Sequence, residues 1–170
     1  MLVLCTCVSI AVLDQVTKVL IQAKVYLGQE VVVIPGFFHI SHVRNTGAAW
    51  GILQDQNILL TSLSAVVLLL LCFARRAFLR DARTHRLALG LMLGGIVGNF
   101  LDRVRLGYVV DFLHFFLQSY HFPSFNVADS AICIGVAIYL VTEIRTRPPG
   151  HESVGNPATV AVDDPDHPAS

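Results

Sequence analysis

Four apolar runs, each about long enough to cross a bilayer, constrain this chain more than any other feature. They extend roughly from Leu2 to Ile21, Ile58 to Ala74, Leu87 to Leu106 and Val127 to Ile144. A hydrocarbon core of ~30 Å takes about 20 helical residues at a rise of ~1.5 Å each. Lipid offers no partners for backbone N–H and C=O groups, so spans of this kind are helices that pair internally. The expected fold is an all-α membrane protein with four transmembrane helices in one domain. Composition agrees, at 54% hydrophobic and 14% charged, where soluble domains average about 25% charged. The formal net charge of zero leaves no basic excess for nucleic acid.

Arginine placement sets the orientation. Arg75, Arg76, Arg80, Arg83 and Arg86 lie between the second and third spans, and Arg145 and Arg147 follow the fourth. The positive-inside rule makes both regions cytoplasmic. An even number of spans then puts both termini inside and the connections 22–57 and 107–126 outside. The first span lacks the basic flank of a cleaved signal peptide and continues through Asp14 and Lys18. LVLC at the start has no apolar core upstream and is not read as a lipoprotein box. The same missing basic flank leaves room for native residues before Met1.

Cys5, Cys7, Cys72 and Cys133 all fall in spans, form no CxxC, and read as small buried thiols. From Pro148 the chain carries five of its seven prolines together with Asp163, Asp164 and Asp166. Residues 148–170 are therefore expected to be a disordered cytoplasmic tail, with 1–147 the folded domain. In the first outer connection, EVVVI and FFHISHV flank Pro35-Gly36 and read as two short strands around a turn. Trp50 suits the membrane interface. The aromatic stretch LHFFLQSYHF is expected to lie along that interface.

Two carboxylates stand out in this apolar setting. Asp111 follows GYVV, and Asp129 opens the fourth span, so both fall at the outer face. An ionised side chain near hydrocarbon costs on the order of 3 kcal/mol, which marks such residues as functional candidates. Two neighbouring carboxylates share a proton, the arrangement that activates water. Other polar residues recur at helical spacing. Asp14 and Lys18 are i and i+4, a favourable ion pair that either neutralises the span or supports a site. Gly90, Gly94 and Gly98 form a close-packing face. Gly95, Asn99 and Arg103 form a second stripe, read as a donor-rich wall facing something anionic or carbonyl-like. Asp102 beside it could simply neutralise Arg103. Asn126 stands three residues before Asp129, where it could be a helix cap. The histidines show no HExxH and no ligand spacing, so no metal or other cofactor is expected.

The motifs DQVTK (14–18), RNTGAAWG (44–51), GGIVGNFLDR (94–103), VVDF (109–112) and FNVAD (125–129) occur in that order. Together they resemble the bacterial lipoprotein signal peptidase family, signal peptidase II, over roughly residues 14–144. The resemblance implies an intramembrane aspartic endopeptidase of the bacterial inner membrane. Its partners would be prolipoproteins, cut before a diacylglyceryl-modified cysteine, and membrane lipids, and it would act as a monomer. Asp111 and Asp129 would take the positions of the catalytic pair. Asn45, Gly47, Asn99, Arg103 and Asn126 would line the site, and Asp14 and Lys18 would be the polar pair of the first helix. The outer connections would form a small β-cradle and an interfacial helix. Tyr108 stands where some relatives carry histidine, and the tail has no counterpart. The competing function is a small proton- or ion-coupled transporter, whose acids would be spread through the depth of the membrane.

Overall fold

The computed structural model describes residues 1–48, 52–78, 83–118 and 120–146. Its elements run in the order α1 (Leu2–Lys24), β1 (Glu30–Ile34), β2 (Phe38–Asn45), α2 (Asn57–Phe78), α3 (Arg83–Leu106), β3 (Val109–Leu117), β4 (Tyr120–His121) and α4 (Val127–Thr146). All four helices are long and apolar enough to span a membrane. Each apolar run of the sequence lies within one of them.

The third helix is the centre of the bundle, packing on α1, α2 and α4. Glycine makes this possible on two faces. A Cβ on Gly90 would stand 2.7 Å from the Thr6 side chain, and one on Gly94 would stand 2.7 Å from the Cys7 carbonyl, so this face lies tight against α1. A Cβ on Gly95 would collide with the Ala128 carbonyl of α4. Close backbone approach is the usual role of small residues between membrane helices, where no hydrophobic effect drives association. Outward faces of α1 and α2 carry exposed Leu, Val and Phe, as lipid-facing surfaces do. Cys5, Cys72 and Cys133 are exposed on the helix surfaces and Cys7 is half-buried. The reading of buried thiols is therefore corrected: three of the four point out of the packed interior.

A four-stranded antiparallel sheet, ordered β1-β2-β3-β4, sits at the end of the bundle where α1 and α3 finish and α4 begins. The β1–β2 turn is closed by Phe37 N–H donating to the Ile34 carbonyl over 3.1 Å, with Gly36 at φ +74°. Pro then Gly at the two central positions is what a type II turn requires. Gly107, at φ +81°, ends α3 and turns the chain into β3. The stretch 113–117 of the aromatic segment is strand, with His114 opposite His39 and Phe115 opposite Phe38. An interfacial helix is thus not found there. Alternating aromatic and histidine side chains fit a pleated surface, where Phe115 stacks on Phe38 with ring centroids 4.5 Å apart. The interfacial reading of Trp50 and the tail from Pro148 lie outside the described residues.

Candidate active site

Asp111 and Asp129 arrive from different elements. Asp111 is in β3, and Asp129 is in the first turn of α4. A bulge between Ile40 and Val43 bends β2 where it passes β3, setting Val43 opposite Asp111. Beside it, the N–H groups of Phe112 and Leu113 both donate to the Phe125 carbonyl, at 3.0 and 2.8 Å. This pairing brings the chain entering α4 alongside β3 and places Asn126 next to Asp111.

Asn126 is completely buried and touches both carboxylates. Its Nδ2 donates to Asp111 Oδ1 over 2.7 Å, and its backbone N–H donates to Asp129 Oδ2 over 3.2 Å. In return its Oδ1 accepts the Asp129 N–H at 3.0 Å. That reciprocal pair is a capping box, with Asp in place of the usual Glu or Gln. Asn126 is thus a helix cap and, at the same time, a hydrogen-bond partner of both carboxylates. Two other amides complete the clamp. Asn45 Nδ2 donates to Asp111 Oδ2 at 2.8 Å, and Asn99 Nδ2 donates to Asp129 Oδ1 at 2.7 Å. Each of the four carboxylate oxygens thus accepts one N–H, which leaves lone pairs for water or a shared proton.

Burial foremost, and then the Asp129 carboxylate, push the Asp111 carboxyl up to about 7, against the hydrogen bonds from Asn45 and Asn126 and the Lys18 charge. Both aspartates line a cavity of about 710 Å³. Asn45, Gly47, Asn99 and Arg103 line it too, and its walls include Phe122, Phe125 and Ile132.

The second stripe of α3 differs from its sequence reading. Asn99 spends its polar atoms inside the protein: Oδ1 accepts from Lys18 at 2.9 Å and from Asn126 at 3.2 Å, while Nδ2 holds Asp129. Arg103 donates from Nη2 to the Gly47 carbonyl at 3.2 Å. The carbonyl that the wall faces belongs to the chain itself, and Arg103 fixes the loop carrying Asn45. Gly47 is needed there because a Cβ would meet the Ile52 carbonyl at 2.8 Å. Gly47 N–H also donates to Asn45 Oδ1 at 2.9 Å, which orients the Asn45 amide. Gly95 does not line the cavity. It belongs to the α3–α4 contact described above.

Asp14 and Lys18 form the expected pair at 2.8 Å, but the pair is part of a larger buried knot. Lys18 Nζ has three donors and three acceptors within reach: Asp14 Oδ2, Asp102 Oδ2 at 2.9 Å and Asn99 Oδ1. The free Asp14 oxygen accepts the Ala128 N–H at 2.9 Å. Asp102 Oδ2 also accepts the Val110 N–H at 3.1 Å. The knot therefore grips the residue immediately before each of Asp111 and Asp129. Asp102, read from the sequence as a possible partner of Arg103, instead pairs with Lys18 and is a supporting residue the sequence reasoning missed. Its register with Lys18 across two helices has no local sequence signal.

A family model for signal peptidase (SPase) II matches residues 6–145. The lipoprotein signal peptidase of Bacillus pumilus is 45% identical over 129 residues, 76% of this chain and 83% of the relative. That of Geobacter sulfurreducens is 46% identical over 137 residues, 79% of this chain and 86% of the relative. A bacterial membrane enzyme solved by the in meso method at 2.3 Å matches with a TM-score of 0.76 and 36% identity, covering 84% of this chain and 87% of that one. Nothing among these relatives supports the transporter reading. With the family model matched over residues 6–145 and relatives 45% and 46% identical over most of its length, this chain belongs to the signal peptidase II family.

Proposed function

We propose that the protein is an aspartic endopeptidase that removes the signal peptide from prolipoproteins, cutting before the diacylglyceryl-modified cysteine. The observation that carries the catalytic type is Asn126, which holds Asp111 and Asp129 at once on the wall of a single cavity. Burial and the Asp129 carboxylate raise the Asp111 carboxyl to about 7, which supports a pair that keeps one proton near neutrality. The protonated member donates to the scissile carbonyl, and the ionised member takes a proton from a water between the two. Roles reverse as the leaving amine is protonated. Because the groups are coupled, titration belongs to the pair.

The apolar wall of Phe122, Phe125 and Ile132 suits the lipid end of such a substrate. Its acyl chains stay in the bilayer while the signal helix lies against the bundle. In the cell, the protein sits in the inner membrane with both termini inside and the sheet and aspartate pair at the outer face, a placement that the arginine distribution supports. It acts as a monomer on lipid-anchored precursors, residues 1–147 being the peptidase domain and 148–170 a cytoplasmic tail. The test is direct: purified protein in detergent is given a diacylglyceryl-modified precursor and an unmodified one. Signal peptide is released from the first only. Intact precursor in both arms would refute the assignment.

A further inference from the structure

One face of the sheet is turned away from the carboxylates. Side chains alternate along β3, so Asp111 and Phe115 stand on one side and His114 and Phe116 on the other. Register across the sheet sets His39 opposite His114 and His121 opposite Phe116, which puts three imidazoles on that second face. His114 and His121 are well apart in the chain and come together through the β3–β4 pairing. Phe116 packs among the rings: His39 meets it in a T-shaped contact with centroids 4.6 Å apart, and His121 stacks on it at 5.3 Å. The side chains of His39 and His114 are only 17% and 14% exposed.

Glu30 decides where the hydrogens of these rings sit. Its carboxyl is held below the usual range, chiefly by the hydrogen bond with His39. It is therefore ionised near neutrality and can only accept. His39 Nδ1 donates to Glu30 Oε2 at 2.9 Å, and His114 Nδ1 donates to Oε1 at 3.2 Å. With its hydrogen on Nδ1, a neutral His114 keeps a lone pair on Nε2. That Nε2 stands 3.4 Å from Nδ1 of His121, beyond the ~2.7–3.2 Å typical of N–H hydrogen bonds. Two nitrogens that share a tetrahedral zinc ion, each about 2.0–2.1 Å from it, are about 3.3–3.4 Å apart. A carboxylate holding the far N–H of the imidazole is also the usual support of a metal-ligating histidine.

We propose that His114 Nε2 and His121 Nδ1 bind a divalent transition cation, zinc or copper, with Glu30 orienting His114. Imidazole nitrogen suits both ions. Among the described residues no three His, Cys, Asp or Glu side chains are grouped to hold an ion. The protein therefore supplies two ligands and water the others, which makes the ion exchangeable, unlike one in a closed four-ligand site. Its place on the face opposite Asp111 keeps it out of the chemistry of the aspartate pair. What it holds is β4, the short strand Tyr120–His121, which leads into Phe122 and Phe125 on the wall of the aspartate cavity. A bound ion ties that wall to β3.

The test is calorimetric titration of untagged, metal-stripped full-length protein in detergent with zinc chloride, and copper(II) electron paramagnetic resonance on the same samples. Wild type binds zinc, its melting temperature rises with zinc concentration, and the copper spectrum shows nitrogen ligands. Acidification releases the ion, since a protonated imidazole has no lone pair to give. His121→Gln, at an exposed position, removes the zinc-dependent rise in melting temperature and leaves metal-free precursor cleavage unchanged. Glu30→Gln keeps both ligands and weakens zinc binding about 10- to 100-fold, the usual effect of losing such a support. His114→Gln also abolishes binding; should it fail to fold, His121→Gln and Glu30→Gln decide alone. Absence of zinc binding by the wild type would overturn the proposal, as would affinity unchanged in His121→Gln or in Glu30→Gln.

Discussion

Asn126 reaches from the start of α4 to Asp111 in β3, its Nδ2 donating to Oδ1 over 2.7 Å, while its own backbone caps the helix that carries Asp129. One side chain thereby fixes the spacing between two carboxylates that the chain brings in separately. Asn126→Ala removes the hydrogen bond and the cap together. The expected loss of stability is roughly 1–3 kcal/mol for an emptied buried partner, with about 1 kcal/mol more from the cap. Cleavage should fall by at least about tenfold even at temperatures where the variant is folded. Thermal melting and initial rates on the same preparation check both. A variant that melts lower but turns over at the wild-type rate would reduce Asn126 to a cap.

The knot around Lys18 should be more sensitive than any single site residue. Lys18→Met keeps the length of the side chain and strands two buried carboxylates, Asp14 and Asp102. Breaking a buried pair from one side costs about 3–5 kcal/mol. The variant is expected to insert, melt far below wild type, and cleave poorly, because the Ala128 and Val110 anchors loosen with it. Thermal unfolding in detergent measures the first effect. A melting temperature within a degree or two of wild type would mean the knot is not ionic.

Asp111 makes stability depend on pH with a defined sign. Its carboxyl rises from an ordinary 3.8 to about 7 in the folded protein, so the folded state holds the proton more tightly. That contribution is fully present below about pH 4 and is lost as pH rises through about 7. The melting temperature should decline across this window, and Asp111→Asn should flatten the decline. Cleavage should show an alkaline limb starting near 7, as the shared proton leaves. A slope unchanged in Asp111→Asn would assign the titration to another group.

Spans, strands and the aspartate pair were legible because each has a local signal. Apolar length marked the helices, and β-branched residues around Pro35-Gly36 marked the hairpin almost to the residue. The aromatic segment 113–122 misled because a strand of alternating Phe and His carries the same composition as an interfacial segment. Asn99 and Arg103 were placed on the right wall, but their partners were not. Whether an amide faces a ligand or a neighbouring carboxylate depends on how α1, α3 and α4 are rotated against one another. Asp102 failed for the same reason, since its proximity to Lys18 comes from helix packing across more than eighty residues. Gly95 sat in the right stripe but serves the contact beneath it.

Orientation has its own test. Single cysteines introduced near Gln56 and near Arg83, in a background without the native four, should divide by side: impermeant reagents in intact cells label the first and not the second. External labelling near Arg83 would invert the topology and put the aspartate pair on the cytoplasmic side.

The central claim is that Asp111 and Asp129 act as one unit on water. Asn is neutral and nearly isosteric with Asp, so Asp111→Asn and Asp129→Asn remove a proton-carrying group with little change in packing. The decisive measurement is the rate of signal peptide release from a diacylglyceryl-modified precursor by the two single variants and the double variant, each confirmed folded by thermal melting, with and without a chelator. Each single variant should be inactive and the double no worse, because residues acting together are not additive, and the chelator should leave the wild-type rate unchanged. Near-wild-type cleavage by either single variant, or activity lost to the chelator and restored by zinc, would contradict the account.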